Sequence, residues 1–173
     1  MKTAWLKNVN PIVLLVSLVA SILAVLAIWY WNYLNHINTF NSQAAVYTGR
    51  KLPDASLIEL KSGDNFSGEV RQGNVLLIYL VSTCNACEKQ LKSISENSIQ
   101  LNPHTKIFGI MFEDADVVAH YVKKHNVGFP VLLDKNGKLL NDLNLRYFPT
   151  NLELRNGVIE KTSFGVSANG NLF

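Results

Sequence analysis

The chain has 173 residues, with 16 Lys and Arg against 13 Asp and Glu, a formal net charge of +3 and two cysteines. All the acidic residues and all but two of the basic ones lie beyond residue 49, where they nearly cancel. That balance removes any electrostatic case for a nucleic-acid partner.

The first element in chain order is apolar. Pro11 to Trp31 contains no charged residue, and only Ser17 and Ser21 interrupt its aliphatic and aromatic composition. As a helix it would extend about 31 Å, the thickness of a bilayer's hydrocarbon core. Residues 1–10 carry Lys2 and Lys7, and no Lys or Arg follows the span until Arg50. By the positive-inside rule residues 1–10 stay cytoplasmic, 11–31 form the anchor, and the rest is exported. Trp5 on one side and Trp29, Tyr30, Trp31 and Tyr33 on the other suit the interfacial belts. A cleaved signal peptide would have a shorter apolar core and small residues at its end, whereas this one runs into Trp-Tyr-Trp. Residues 32–49, rich in Asn and free of charge, read as a linker.

Residues 50–173 have the composition of one globular domain. Leu57–Leu60 and Phe66–Val70 flank Ser62-Gly63-Asp64, which predicts a short hairpin. Val75–Val81 is a continuous apolar run suited to a strand buried on both faces. After it Cys87, Leu91 and Ile94 fall on one stripe of a helix. Lys106–Phe112 is a second buried-strand candidate, Asp114–Asn126 a helix, Phe129–Leu133 a strand and Leu139–Leu145 a short helix. Thr150–Arg155 and Val158–Phe164 alternate around Asn156-Gly157, the strongest short hairpin signal in the chain. Strands and helices that alternate and end in a hairpin predict an α/β class with a mixed sheet.

The two cysteines, Cys84 and Cys87, stand at CxxC spacing where the central strand gives way to its helix. A helix N-terminus offers unpaired N–H groups and a positive dipole end, and in a CxxC context it lowers a thiol's pKa. Cys84, nearer the helix start, is the expected nucleophile, and Cys87, one turn inside, the expected resolving thiol. A structural disulfide across so short a loop would constrain little of the unfolded chain. A closed zinc site lacks its second ligand pair, and c-type haem attachment lacks a His after Cys87, where Glu88 stands. His104, His120 and His125 read as surface residues.

With these residues in place, the domain resembles the thioredoxin fold, and specifically the membrane-anchored thiol–disulfide oxidoreductases of the TlpA/ResA type. The resemblance runs from about Lys51 to Phe164. It rests on Leu52-Pro53-Asp54 with the Ser62-Gly63-Asp64 turn, on Val75–Cys87, on Phe129-Pro130-Val131 with Asp134 and Gly137, and on Tyr147-Phe148-Pro149-Thr150 before the last hairpin. It implies a cis bond before Pro149, held against the active-site cysteines, and a docking groove shaped by Thr83, Phe148, Pro149 and Thr150. It also implies no cofactor or metal beyond the redox-active Cys84–Cys87 pair. Clients would be protein disulfides or dithiols, and a membrane protein would deliver the electrons. The setting implied is a bacterial inner membrane with the domain on the periplasmic side.

The resemblance favours reduction of disulfides, as in cytochrome c maturation. A disulfide oxidase or isomerase, and an anchored chaperone with a redox-sensing CxxC, are the alternatives. The chain departs from its relatives at Thr83, where most carry Trp, and at Asn85-Ala86 between the cysteines. It also has no carboxylate in the central strand, where thioredoxins keep a buried acid. Peroxidase chemistry is disfavoured, because Val81 stands where a Thr would be needed.

Overall fold

Burial alternates along the apolar run that begins at Val75, and the alternation builds the domain. In the computed structural model, which describes residues 11–97 and 104–166, this run forms strand β2, Asn74–Tyr79. Successive side chains of a strand point to opposite faces. Val75, Leu77 and Tyr79 therefore enter one apolar cluster, and Leu76, Ile78 and Leu80 the other.

The remaining strands of the domain are β1 (Leu57–Glu59), β3 (Thr105–Met111), β4 (Val131–Asp134), β5 (Thr150–Arg155) and β6 (Val158–Phe164). They join β2 in one six-stranded sheet of order β1-β4-β3-β2-β5-β6. The β2–β3 and β3–β4 pairs are parallel, and the other three are antiparallel. Helices α2 (Asn85–Asn97) and α3 (Ala115–Lys124) supply Cys87, Leu91, Ile94, Val118, Tyr121 and Val122 to the cluster of Leu76 and Ile78. Helix α4 (Lys138–Leu143) supplies Leu139 and Leu143 to the opposite cluster, which Tyr47, Leu52 and Val70 also enter. The sheet is mixed, as the alternation of elements predicts.

Residues 11–45 form a single helix, α1 (Pro11–Ala45). Its stretch Pro11–Asn35 is long and apolar enough to cross a membrane, and its side chains are exposed throughout. A helix apolar all round and of this length matches lipid. This is the one such helix among the described residues; the residues 1–10 read as cytoplasmic lie outside them. The chain divides into two units, Met1–Ser42 and Gln43–Phe173.

Two expectations fail for physical reasons. Residues 32–45, read as linker, are helical because no Gly or Pro interrupts them before Gly49. Adding residues to a helix already formed avoids the cost of nucleation. Residues 47–52 belong to the domain: Tyr47 is buried, and the backbones of Gly49, Arg50 and Leu52 bond to Ile159 and Gly157. The hairpin expected over Leu57–Val70 shrinks to an isolated bridge, Ile58 to Asn65. Beyond it Glu69–Arg71 turns as a single 3-10 segment, and β1 pairs with β4 instead. The Ser67 hydroxyl donates to the Ala55 carbonyl and accepts the Leu57 N–H, while the Glu59 side chain accepts the Lys61 and Ser62 N–H groups. These local bonds replace a second strand's ladder.

At the last turn Asn156 and Gly157 both have positive φ, 49° and 77°, as a tight type I′ connection requires. A Cβ on Gly157 would lie 3.3 Å from that of Arg71. Arg71 is itself held by the carbonyls of Leu52, Pro53 and Ser67. Gly157→Ala is expected to cost about 1–2 kcal/mol, since the left-handed region penalises any Cβ. A lowered denaturant midpoint for the full chain in detergent micelles checks this.

Candidate active site at the strand-to-helix junction

Strand β2 ends at Tyr79, and the next residues carry the chain past the strand's C-terminal end before α2 starts at Asn85. Cys84 thus sits at the position that caps α2, and Cys87 one turn inside. The Cys84 carbonyl accepts the N–H of Cys87 at 2.9 Å and of Glu88 at 3.3 Å, which are bonds of the first helical turn. The Cys87 N–H also points at Cys84 Sγ, 3.1 Å away. Cys84 is half-buried, Cys87 is fully buried, and both are free thiols. Burial holds the Cys87 thiol far above its ordinary range, and the hydrogen bond to Cys84 adds to this. The outer cysteine can reach a client and the inner one cannot.

The loop before β5 closes the site. The Phe148–Pro149 peptide bond is cis, and Cys84 Sγ lies 3.5 Å from the Phe148 carbonyl oxygen. The Phe148 ring packs on Tyr79 with centroids 5.9 Å apart. Tyr79 is fixed from below, its hydroxyl donating to Asp134 Oδ2 at 2.7 Å. The Asp134 carboxylate also accepts the N–H groups of Leu139 and Leu140, both at 3.0 Å, so one buried acid ties β2, β4 and α4 together.

The expected docking residues divide. Thr83 is exposed beside Cys84, the Phe148 carbonyl stands against Cys84 Sγ, and Pro149 is buried behind it across the cis bond. The Thr150 side chain is different. It is fully buried, and its hydroxyl donates to the Tyr147 carbonyl, so the side chain shapes the loop.

Three neighbours of the pair go unnoticed in a reading by local pattern. Glu113 follows β3, and the β2–β3 register pairs Tyr79 with Ile110. Carried three residues further, the same parallel register sets Glu113 beside Ser82. There the Ser82 N–H donates to Glu113 Oε1 at 2.9 Å, and the Ser82 hydroxyl donates to the same oxygen at 2.5 Å. Glu113 Oε2 is buried with no partner in the protein, as is the Tyr121 hydroxyl. The apolar run before Glu113, with a parallel partner, is the sequence signal that could have found it.

Glu88 does not stand alone in solvent. Its carboxylate lies 3.5 Å from Lys124 Nζ and 3.4 Å from His125 Nε2. His125, expected at the surface, has only 15% of its side chain exposed and packs on the Tyr121 ring at 4.5 Å. It caps the end of α3, where the chain folds back over Tyr121. His104 and His120 are exposed. Among the described residues no group of three His, Cys, Asp or Glu side chains is placed to hold a metal ion.

Comparison with known proteins agrees with this geometry. The AhpC/TSA family matches residues 48–172. Thiol-disulfide oxidoreductase ResA of Geobacillus kaustophilus (strain HTA426) is 25% identical over 133 residues, covering 73% of this chain and 74% of that protein. Sporulation thiol-disulfide oxidoreductase A of Bacillus subtilis (strain 168) is 24% identical over 121 residues, 66% of this chain and 73% of the relative. The crystal structure of StoA from Bacillus subtilis superposes with a TM-score of 0.58 at 23% identity, over 68% of this chain and 92% of that one. A secreted Mycobacterium tuberculosis disulfide oxidoreductase gives 0.57 at 22% identity, over 67% and 88%. These solved structures establish the fold, which is thioredoxin-like.

Proposed function

The chain belongs to the AhpC/TSA family, and from that premise we propose that it is a membrane-anchored thiol–disulfide oxidoreductase that reduces protein disulfides outside the cytoplasm. Cys84 attacks the client disulfide, Cys87 resolves the mixed disulfide, and Phe148 with Pro149 presents the backbone against which the client docks. One observation carries the reading. A half-exposed sulfur caps a helix 3.5 Å from the Phe148 carbonyl, with a buried second thiol one turn behind it.

The mechanism follows from burial. The attacking species is a thiolate, and of the two thiols only Cys84 is accessible. Once Cys84 is joined to a client, Cys87 is the nearest sulfur. An intramolecular attack by a group already in place has a large advantage over a second client thiol. An extended client can lie along the loop at Phe148 and bond through its main chain, which demands little of its sequence.

Charge and burial at the cysteines bear on the direction of exchange. Strong oxidants of this chemistry stabilise their reduced form. Here the burial of Cys87 above all, with the hydrogen bond to Cys84, opposes a thiolate at the inner position, which favours giving electrons away. A reductant in an oxidising compartment needs a membrane protein to recharge it. Lys2 and Lys7 before the helix support, by the positive-inside rule, a cytoplasmic position for residues 1–10 and a domain on the periplasmic side of a bacterial inner membrane. Cysteines awaiting haem attachment in cytochrome c maturation are the clients this reading favours.

The reduction potential of the Cys84–Cys87 pair, measured on the full chain in detergent against a glutathione or dithiothreitol buffer, tests the direction. The expected value is near that of thioredoxin, about −270 mV. A value near about −120 mV would make the protein an oxidant and remove the haem-assembly clients.

A further inference from the structure

The chain has four arginines, and two of them are tied to acids. Arg71 lies 3.0 Å from Asp54 and Arg155 lies 3.1 Å from Glu160. The other two, Arg50 and Arg146, form no ion pair among the described residues. The acids nearest to them in sequence, Asp54 and Asp142, are already paired with Arg71 and Lys138. Although Arg50 and Arg146 are far apart in the chain, the fold gathers both at one tyrosine. The Arg50 guanidinium stands over the Tyr47 ring, 6.0 Å from its centroid. Arg146 lines a cleft of about 290 Å³ together with Val46, Tyr47, Asn144 and Tyr147. Burial raises the Tyr47 pKa, and both guanidiniums are close enough to act against it.

The walls of this cleft are fixed by contacts distant in sequence. Tyr47 is buried, its hydroxyl donates to the Asn144 carbonyl at 3.4 Å, and its ring meets Phe164 edge-on at 6.1 Å. The Tyr147 ring packs on the same Phe164 at 5.4 Å. Arg146 Nε donates to Asn144 Oδ1 at 3.2 Å, which orients the guanidinium and takes only one of its N–H donors. Two cations beside one tyrosine, with no acid to balance them, repel each other, and a bound anion turns that repulsion into attraction.

We propose that the cleft binds a phosphate group, held by the fork of Arg146 with Arg50 as the second cation and the two tyrosines as walls. Guanidinium donors match phosphate oxygens in pairs. A phosphomonoester carries about −1.5 to −2 charges at neutral pH, which answers two arginines, whereas a carboxylate answers one. The volume lies at the lower end of the range for ligand sites, about 300–1,000 Å³, and so suits a headgroup-sized molecule. The phosphate belongs either to a small soluble phosphomonoester or to a lipid headgroup of the same chemistry. The cleft shares no residue with the cysteine pair, so phosphate binding stands apart from the exchange reading.

The test uses the full chain in neutral detergent micelles, with glycerol 3-phosphate and micellar phosphatidic acid as probes at constant ionic strength. A ligand that binds only the folded state raises the thermal unfolding midpoint. A saturable rise is expected with at least one probe. Glycerol 3-phosphate, active alone or alongside the lipid, identifies a ligand that need not come from the membrane. Phosphatidic acid active alone identifies the membrane surface as the source. Arg146→Gln is expected to weaken the apparent affinity about tenfold or more, through loss of charge-assisted hydrogen bonds, and Arg50→Gln a fewfold. Both side chains are exposed, so neither change removes a buried contact. Lys61→Gln alters an exposed cation beyond β1, at the opposite edge of the sheet from β6, and should leave the affinity unchanged.

The absence of a saturable rise with both probes would overturn the proposal. So would an undiminished rise in Arg146→Gln, or an equal rise with acetate in place of phosphate. None of these results touches the cysteine chemistry, and adduct formation by Cys84→Ser, which would overturn the exchange reading, leaves the phosphate site standing.

Discussion

The Cys87→Ala protein is expected to accumulate covalent client adducts through Cys84, while Cys84→Ser forms none and loses exchange by about a thousandfold or more. The asymmetry comes from the geometry of the junction. Cys84 is half-buried at the head of α2, and Cys87 is fully buried one turn inside, its N–H directed at the outer sulfur. A client sulfur can reach only Cys84, so the adduct forms whether or not Cys87 is present. Without Cys87 no thiol is held in place to break it. Trapping in membranes followed by non-reducing electrophoresis reads both variants. An anchored chaperone that merely binds its clients would give no adduct with either, and that result would also remove Cys84 as nucleophile. The adduct band therefore separates exchange from binding in one gel.

The second large effect is on stability and lies one layer below the cysteines. Asp134→Ala should destabilise the domain by about 3 kcal/mol or more, against a typical total of about 5–15 kcal/mol. The carboxylate takes three donors in a nearly dry site: the Tyr79 hydroxyl and the Leu139 and Leu140 N–H groups. Asp134 itself is 1% exposed. Removing it leaves all three donors without an acceptor, each costing roughly 1–3 kcal/mol if water does not replace it. Asp134→Asn keeps one oxygen for the helix and should lose about 1 kcal/mol. Denaturant midpoints in detergent give the ranking. Equal losses for Asn and Ala would mean that volume, not hydrogen bonding, matters at this position. Because the Tyr79 ring supports Phe148, the Ala variant should also exchange more slowly than its folded fraction accounts for.

Much of this protein follows from local pattern. The apolar run at Val75, the CxxC after it, the stripe of Cys87, Leu91 and Ile94, and the Asn156-Gly157 turn each depend on neighbours a few residues apart. The structure has β2, α2, β5 and β6 where those patterns put them. The apolar helix is legible for the same reason, since its length and composition alone match a bilayer.

Elsewhere a contact distant in sequence outweighs the local pattern. The segment Phe66–Val70 alternates like a strand, yet β1 takes β4 as its partner, and the Phe66 ring packs edge-on against Phe108. His125 looks like a surface residue until α3 lays Tyr121 beneath it. The loop turns the Thr150 hydroxyl back to the Tyr147 carbonyl, a bond that no local pattern announces.

The active site shows the division most plainly. The two thiols and their order of burial can be read from spacing, because a helix sets residues three apart on one side. The acid beside them cannot be read that way. Glu113 reaches Ser82 only because β2 and β3 run parallel with Tyr79 opposite Ile110. Helical and strand periods are properties of the backbone over a few residues, so the sequence carries them on its face. Strand register is a choice among pairings that differ in total burial and hydrogen bonding, and only the folded sheet decides it.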